Sequence, residues 1–208
     1  MNPIQCTHER HAIAIVEIFN EAIATSTALF DYKPRTAESM VGWFKSKELG
    51  KFPVVGIEAE DGRLLGFASY GTFRAWPAYK YSIEHSVYVH KDFRGKGLGQ
   101  KLMQSLILEA KAQEYHTMIG GIELLNAGSI ALHERLGFTH SGTIRQAGFK
   151  FGRWLDLAFY QIVLSTPLAP VRPNPSLKRS ANGGPPGPVC GARHFPQPGP
   201  AVPPLSPA

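Results

Sequence analysis

The stretch that decides the fold runs Ser86-Val87-Tyr88-Val89, His90-Lys91-Asp92-Phe93, Arg94-Gly95-Lys96-Gly97-Leu98-Gly99. Its first four residues alternate as a strand does, and residues 102–114 carry the period of a helix. Between them, three glycines in five positions allow tight turning and close backbone approach to a ligand, and the following helix opens with unpaired N–H groups and the positive end of its dipole. Arg94 and Lys96 add positive charge. The segment is expected to cradle a phosphate-bearing group, with Gly95, Gly97, Leu98 and Gly99 supplying backbone.

Outward from this loop, residues 9–24 and 36–48 read as helices, the first with apolar positions at Ile13, Val16, Ile18 and Ala22, the second capped by Thr36. Residues 54–60 and 64–72 read as strands joined by Asp61-Gly62, a hairpin signal. A strand over 81–89 precedes the glycine loop. After the loop's helix, 117–125 reads as a strand, 126–136 as a short helix ended by Gly137 in a left-handed conformation, and 139–148 and 153–164 as two strands. This order predicts an α/β (α+β) mixed, mostly antiparallel sheet flanked by helices, not a doubly wound dinucleotide fold.

The chain has 208 residues and a formal charge of +6. That length suits one well-cored domain. Residues 167–208 hold four basic residues, no acid and 13 of the 17 prolines, which leaves 18 basic against 16 acidic residues in 1–166. The expected organisation is therefore a catalytic domain over 1–166 and a disordered Pro/Gly-rich tail over 167–208. A nearly neutral body argues against nucleic-acid binding. Two cysteines at opposite ends and no apolar membrane-length run predict a cytoplasmic protein without disulfides or membrane contact.

The glycine loop lacks the Gly-Lys-Ser/Thr ending of a nucleoside triphosphate loop. It resembles instead the acetyl-CoA site of the GNAT N-acetyltransferase superfamily, whose Gln/Arg-x-x-Gly-x-Gly/Ala signature is met by Arg94, Gly97 and Gly99. Asn126 opening a helix and Leu136-Gly137-Phe138 closing it fit the same family. Three blocks are similar to its phosphinothricin and methionine sulfoximine acetyltransferase branch: residues 84–89 (Glu-His-Ser-Val-Tyr-Val), 126–134 (Asn-Ala-Gly-Ser-Ile-Ala-Leu-His-Glu) and 150–156 (Lys-Phe-Gly-Arg-Trp-Leu-Asp). The GNAT acyl-CoA N-acyltransferase fold and acetyl-CoA as co-substrate are what the resemblance implies; no metal is expected.

It also implies transfer of an acetyl group to the amine of a small amino acid analogue (phosphinothricin, methionine sulfoximine or methionine sulfone) by direct attack on the thioester in a ternary complex. Glu84 is the candidate base, because the amine must lose a proton before it can attack. His133 stands where most of the superfamily has Tyr and is the candidate proton donor to the departing thiolate. His85 points away from Glu84 along the strand and is read as flanking. The Val87, Tyr88 and Val89 backbone is expected to pair with the pantetheine arm and to hold the developing oxyanion, with Asn126 also bonding that arm. Phe73, Arg74 and Trp76 are candidates for the acceptor pocket, Arg74 as a carboxylate or phosphinate fork. Glu84 itself and Arg153, with Trp154 and Asp156, are expected to complete it, Arg153 across a homodimer interface. Alternative readings are a protein N-terminus or polyamine as acceptor, or a CoA-binding regulator without catalysis.

Overall fold

A computed structural model describes residues 2–171. The proline-rich tail expected from residue 167 onward lies outside the described residues for all but its first five positions. Seven strands form one sheet in the order β1-β2-β3-β4-β5-β7-β6. They are β1 (Pro3–Gln5), β2 (Val54–Glu58), β3 (Leu64–Thr72), β4 (Ser82–Val89), β5 (Thr117–Glu123), β6 (Thr139–Lys150) and β7 (Arg153–Val163). Four helices flank it: α1 (His8–Thr25), α2 (Ala37–Leu49), α3 (Leu98–Ala112) and α4 (Ala127–Arg135). Among the described residues no helix is long and apolar enough to cross a membrane.

Local chemistry sets the element ends. Thr7 and Thr36 cap α1 and α2, each accepting a backbone N–H three residues on, from Arg10 and Ser39. The β2–β3 hairpin turns at Gly62, φ +81°, and Ala59 N–H donates to the Arg63 carbonyl at 2.9 Å. Gly137 adopts the expected left-handed conformation, φ +88°, after α4. Two expectations shift. Helix α3 begins at Leu98, four residues ahead of the expected start, because left-handed Gly97 (φ +76°) turns the chain directly into it. The buried stripe of α1 is Ile15, Ile18, Phe19 and Ala22, whereas Ile13 is 61% exposed. The three-residue β1, which pairs with β2, is too short to show a period and escaped the sequence reading.

Alternation along the central strands divides the core into two layers. One holds Ile15, Ile18, Phe19, Met40 and Phe67 under α1 and α2. The other holds Ala68, Tyr70, Ile83, Leu102, Leu106, Met118 and Phe138 on the α3 and α4 side. All neighbouring strands are antiparallel except β4 and β5. That parallel pair is in register over Ser82, Glu84 and the residue between, and no further. From His85 onward β4 thus has β3 on one side and no strand on the other, which opens a wedge in the middle of the sheet.

Candidate active site

The wedge is a cavity of about 800 Å³, in the range of sites for small ligands and cofactors. Its walls include Glu84 through Val89 of β4, the start of α3, the Gly120-Gly121 pair of β5, and Asn126, Leu132 and His133 of α4. The glycine loop forms its floor. Gly95 and Gly97 both have φ near +75°, and a side chain on either would meet nothing within 4 Å, so their role is conformational. Gly97 caps α3 with no side-chain hydrogen bond, which leaves the first N–H groups of the helix for a ligand. Gly99 packs its missing Cβ position 3.3 Å from the Leu132 side chain. The exposed Lys96 lies beside the loop with its ammonium 4.9 Å from the centre of the Phe93 ring. Arg94 lines the cavity as well. Its guanidinium pairs with Glu21 of α1 and donates to the Val89 carbonyl, which fastens the loop to α1 and to the end of β4.

This arrangement fits a pyrophosphate-bearing co-substrate. The N–H groups of the loop and of the first turn of α3 are a suitable receptor for an anion. Past Glu84, alternate backbone groups at Val87, Tyr88 and Val89 face the wedge like a sheet edge. Asn126 lines the same cavity, with its Oδ1 accepting the Ser129 N–H at 3.1 Å as the cap of α4.

Glu84 stands at the point where β4 and β5 part, on the α1/α2 face with Ser86 and Tyr88. Burial raises its pKa above the ordinary carboxylate value, and the charge of Arg74 opposes that shift. Gly121 leaves room for it: a Cβ there would come 3.4 Å from Oε1. Gly71 lies directly opposite on β3.

His85 and His133 meet on the other face of the sheet. Their Nε2 atoms are 3.2 Å apart and their rings are stacked at 21° with Phe138 edge-on to both. His133 Nδ1 lies 2.6 Å from the Ser129 carbonyl oxygen. A carbonyl only accepts, so Nδ1 carries the hydrogen and His133 Nε2 is left as the acceptor for His85 Nε2–H. Both nitrogens of neutral His133 are thereby engaged, and the buried Nδ1 of His85 has no partner. Burial, reinforced by His133, lowers the His85 pKa to about 3, and burial lowers that of His133 as well.

The acceptor-pocket candidates are dispersed. Phe73, Arg74 and Trp76 sit in the β3–β4 connection and do not line the cavity; Trp76 is 73% exposed and Arg74 stacks on Phe73, 4.5 Å from its ring centre. Arg74 reaches the site through its field at Glu84. Arg153 lines an adjoining cavity of about 550 Å³ and donates to the buried Glu123 at 3.3 Å, while Thr27 donates to the other oxygen of that carboxylate at 3.0 Å. Trp154 packs edge-on against Phe149, and Asp156 accepts the Gln146 N–H in a bulge of β6. Sequence reasoning missed Lys47, Glu123 and the Gly120-Gly121 pair. Only the glycines carried a signal, since paired glycines inside a strand mark a close approach.

Comparison with known proteins agrees with this geometry. Residues 15–138 match the acetyltransferase (GNAT) family. The chain is 43% identical over 157 residues to the L-methionine sulfoximine/L-methionine sulfone acetyltransferase of Salmonella typhimurium, covering 76% of this chain and 91% of that protein. It is 37% identical to the phosphinothricin N-acetyltransferase of Streptomyces coelicolor, covering 71% and 87%. Among solved structures, a GNAT superfamily phosphinothricin acetyltransferase from Sinorhizobium meliloti in complex with acetyl-CoA superposes with a TM-score of 0.77 at 30% identity, covering 86% of this chain and 95% of that one. With a sheet that splits beside a glycine cradle, and relatives this similar along most of their length, the chain is an enzyme of the GNAT family of N-acetyltransferases.

Proposed function

We propose that this enzyme acetylates the α-amine of a small amino acid analogue, with methionine sulfone, methionine sulfoximine and phosphinothricin as the acceptor class. The observation that carries the reading is Glu84: a half-buried carboxylate of raised pKa, placed where β4 leaves β5 and the cavity opens. The names of the similar enzymes point to the same acceptors. Bound acetyl-CoA supplies an acetyl thioester. Glu84 takes the proton that makes the acceptor amine a nucleophile, and its raised pKa suits it to hold that proton near neutral pH. Backbone N–H groups of Val87 to Val89 stabilise the negative charge that develops on the acetyl oxygen. His133, which lines the α4 side of the wedge, delivers a proton to the departing sulfur from Nε2, once that nitrogen has given up its hydrogen bond from His85 and taken up a proton.

The reading extends to a cytoplasmic homodimer. Ile144, Phe149, Phe151 and Trp154 present a cluster of exposed apolar side chains on β6, β7 and the turn between them, beside Arg153 at the rim of the acceptor side. Light scattering at micromolar concentration tests the dimer. The activity is tested by thiol release from acetyl-CoA with the three analogues, ordinary amino acids, a polyamine and an N-terminal peptide. Turnover of the analogues alone is the expected result; preferential turnover of the polyamine or peptide replaces the acceptor, and no turnover of any amine overturns catalysis.

A further inference from the structure

Lys47 contributes a cation to the cavity that neither its position in α2 nor any motif announces. Its ammonium donates to the Tyr70 carbonyl at 2.8 Å and lies 5.3 Å and 5.9 Å from the ring centres of Trp43 and Phe52. Among the described residues no carboxylate forms an ion pair with it. One of its three N–H donors is used by Tyr70, which leaves two for a ligand. A desolvated ammonium without a counter-ion is unfavourable, and burial correspondingly lowers the Lys47 pKa to about 8.

The sheet register fixes where this cation stands. Gly71 of β3 pairs with Glu84 of β4, so the two share a face. The Lys47 ammonium lies 3.6 Å from the point a Gly71 Cβ would occupy. A base on β4 and a cation that α2 brings against β3 therefore stand on one face of the sheet, over neighbouring strands and with no side chain at Gly71 between them. An α-amino acid carries its amine and its carboxylate on a single carbon. We infer that Lys47 binds the α-carboxylate of the acceptor while Glu84 meets its α-amine, which makes Lys47 the residue that distinguishes an amino acid from a plain amine. This rests on the acceptor class proposed above. Arg74, exposed and stacked on Phe73, is then left to tune Glu84 and not to clamp the carboxylate.

The test compares methionine sulfone with its decarboxylated counterpart, 3-(methylsulfonyl)propylamine, on the wild type, Lys47→Met and Lys47→Arg. In Lys47→Met, kcat/KM for methionine sulfone is expected to fall by about tenfold or more, chiefly through KM, with the amine and the KM for acetyl-CoA within about twofold of the wild type. Lys47→Arg should restore most of the loss. Calorimetric binding of methionine sulfone in the presence of CoA is followed alongside, so that Lys47 is judged on affinity whatever the turnover. Equal losses for both acceptors, or unchanged affinity in Lys47→Met, overturn the inference. A wild type that binds methionine sulfone but never acetylates it overturns the proposed function while leaving the Lys47 result readable.

Discussion

His85 and His133 face each other through Nε2 atoms 3.2 Å apart, and their hydrogen bond holds one proton, not two. Protonating either ring would place a charge in a buried apolar setting beside Phe138 and a second imidazole. The folded-state pKa of His85, about 3, lies below its unfolded value, so the unfolded chain binds more protons as the pH drops below 6.5.

The stability that the pair contributes is thus fully present above pH 6.5 and is lost as the pH falls toward 3. The expected loss is about 1.4 kcal/mol for each pH unit below 6.5 for His85, with a smaller addition from His133. Urea unfolding at pH 7 and pH 5 measures it. In His85→Gln the difference between the two pH values should shrink by more than half, as the ring that contributes more is gone. An unchanged difference would show that the slope comes from other groups.

Glu84 and Arg74 make a second, separable pH prediction. Glu84→Gln should lower kcat by about 10²-fold or more at pH 7, with little change in KM for acetyl-CoA, because the amide cannot take the amine's proton. As base, Glu84 acts when ionised, so activity falls with decreasing pH through its raised pKa. The Arg74 charge holds that pKa down. Removing it in Arg74→Ala should move the acidic limb of kcat/KM to higher pH, and a limb that moves to lower pH would place Arg74 in a different role.

The strands and helices were legible because their signals are local: alternation in 86–89, the cap at Thr36, Asn126 opening its helix, and the Asp61-Gly62 turn all act within a few residues. Glu84 and the glycine cradle were legible because both belong to one continuous stretch of chain. Lys47 was not. Nothing in α2 distinguishes it from Lys45, since its burial is produced by Phe52 and by Tyr70 of a strand 23 residues on. The stacking of His85 on His133 likewise joins residues 48 apart, and depends on Gly120 in a third element, β5. Nor was the pairing of Arg94 with Glu21, 73 residues away in sequence, legible.

Glycine substitutions separate the two uses of glycine in the site. A Cβ at Gly120 would fall 2.7 Å from His85 Nε2 and 3.2 Å from His133 Nε2, among rings with no room to retreat. Gly120→Ala should cost about 1–3 kcal/mol of stability, read as a fall in the urea midpoint. Gly97→Ala meets no atom but must hold φ near +76° at the mouth of α3. It should cost about 1–2 kcal/mol and raise KM for acetyl-CoA, as the N–H groups of the cradle lose their alignment.

Lys150 anchors the C-terminal end of α1. Its buried ammonium donates to the carbonyls of Ile23, Ser26 and Leu29 at 2.7, 2.9 and 2.7 Å, which closes the C-terminal end of α1 and the segment leading out of it. A cation at that end of a helix also meets the negative end of its dipole. The same segment carries Thr27 and Ala28, which line the adjoining cavity next to Glu123 and Arg153. Lys150→Met removes three charge-assisted bonds and leaves their carbonyls poorly satisfied, so it should destabilise the fold by about 3 kcal/mol or more. The loss should be local as well as global: hydrogen exchange at residues 23–29 is expected to rise by more than exchange in β3 or α3. Uniform acceleration across the chain would instead mean that Lys150 stabilises the whole domain without ordering this segment.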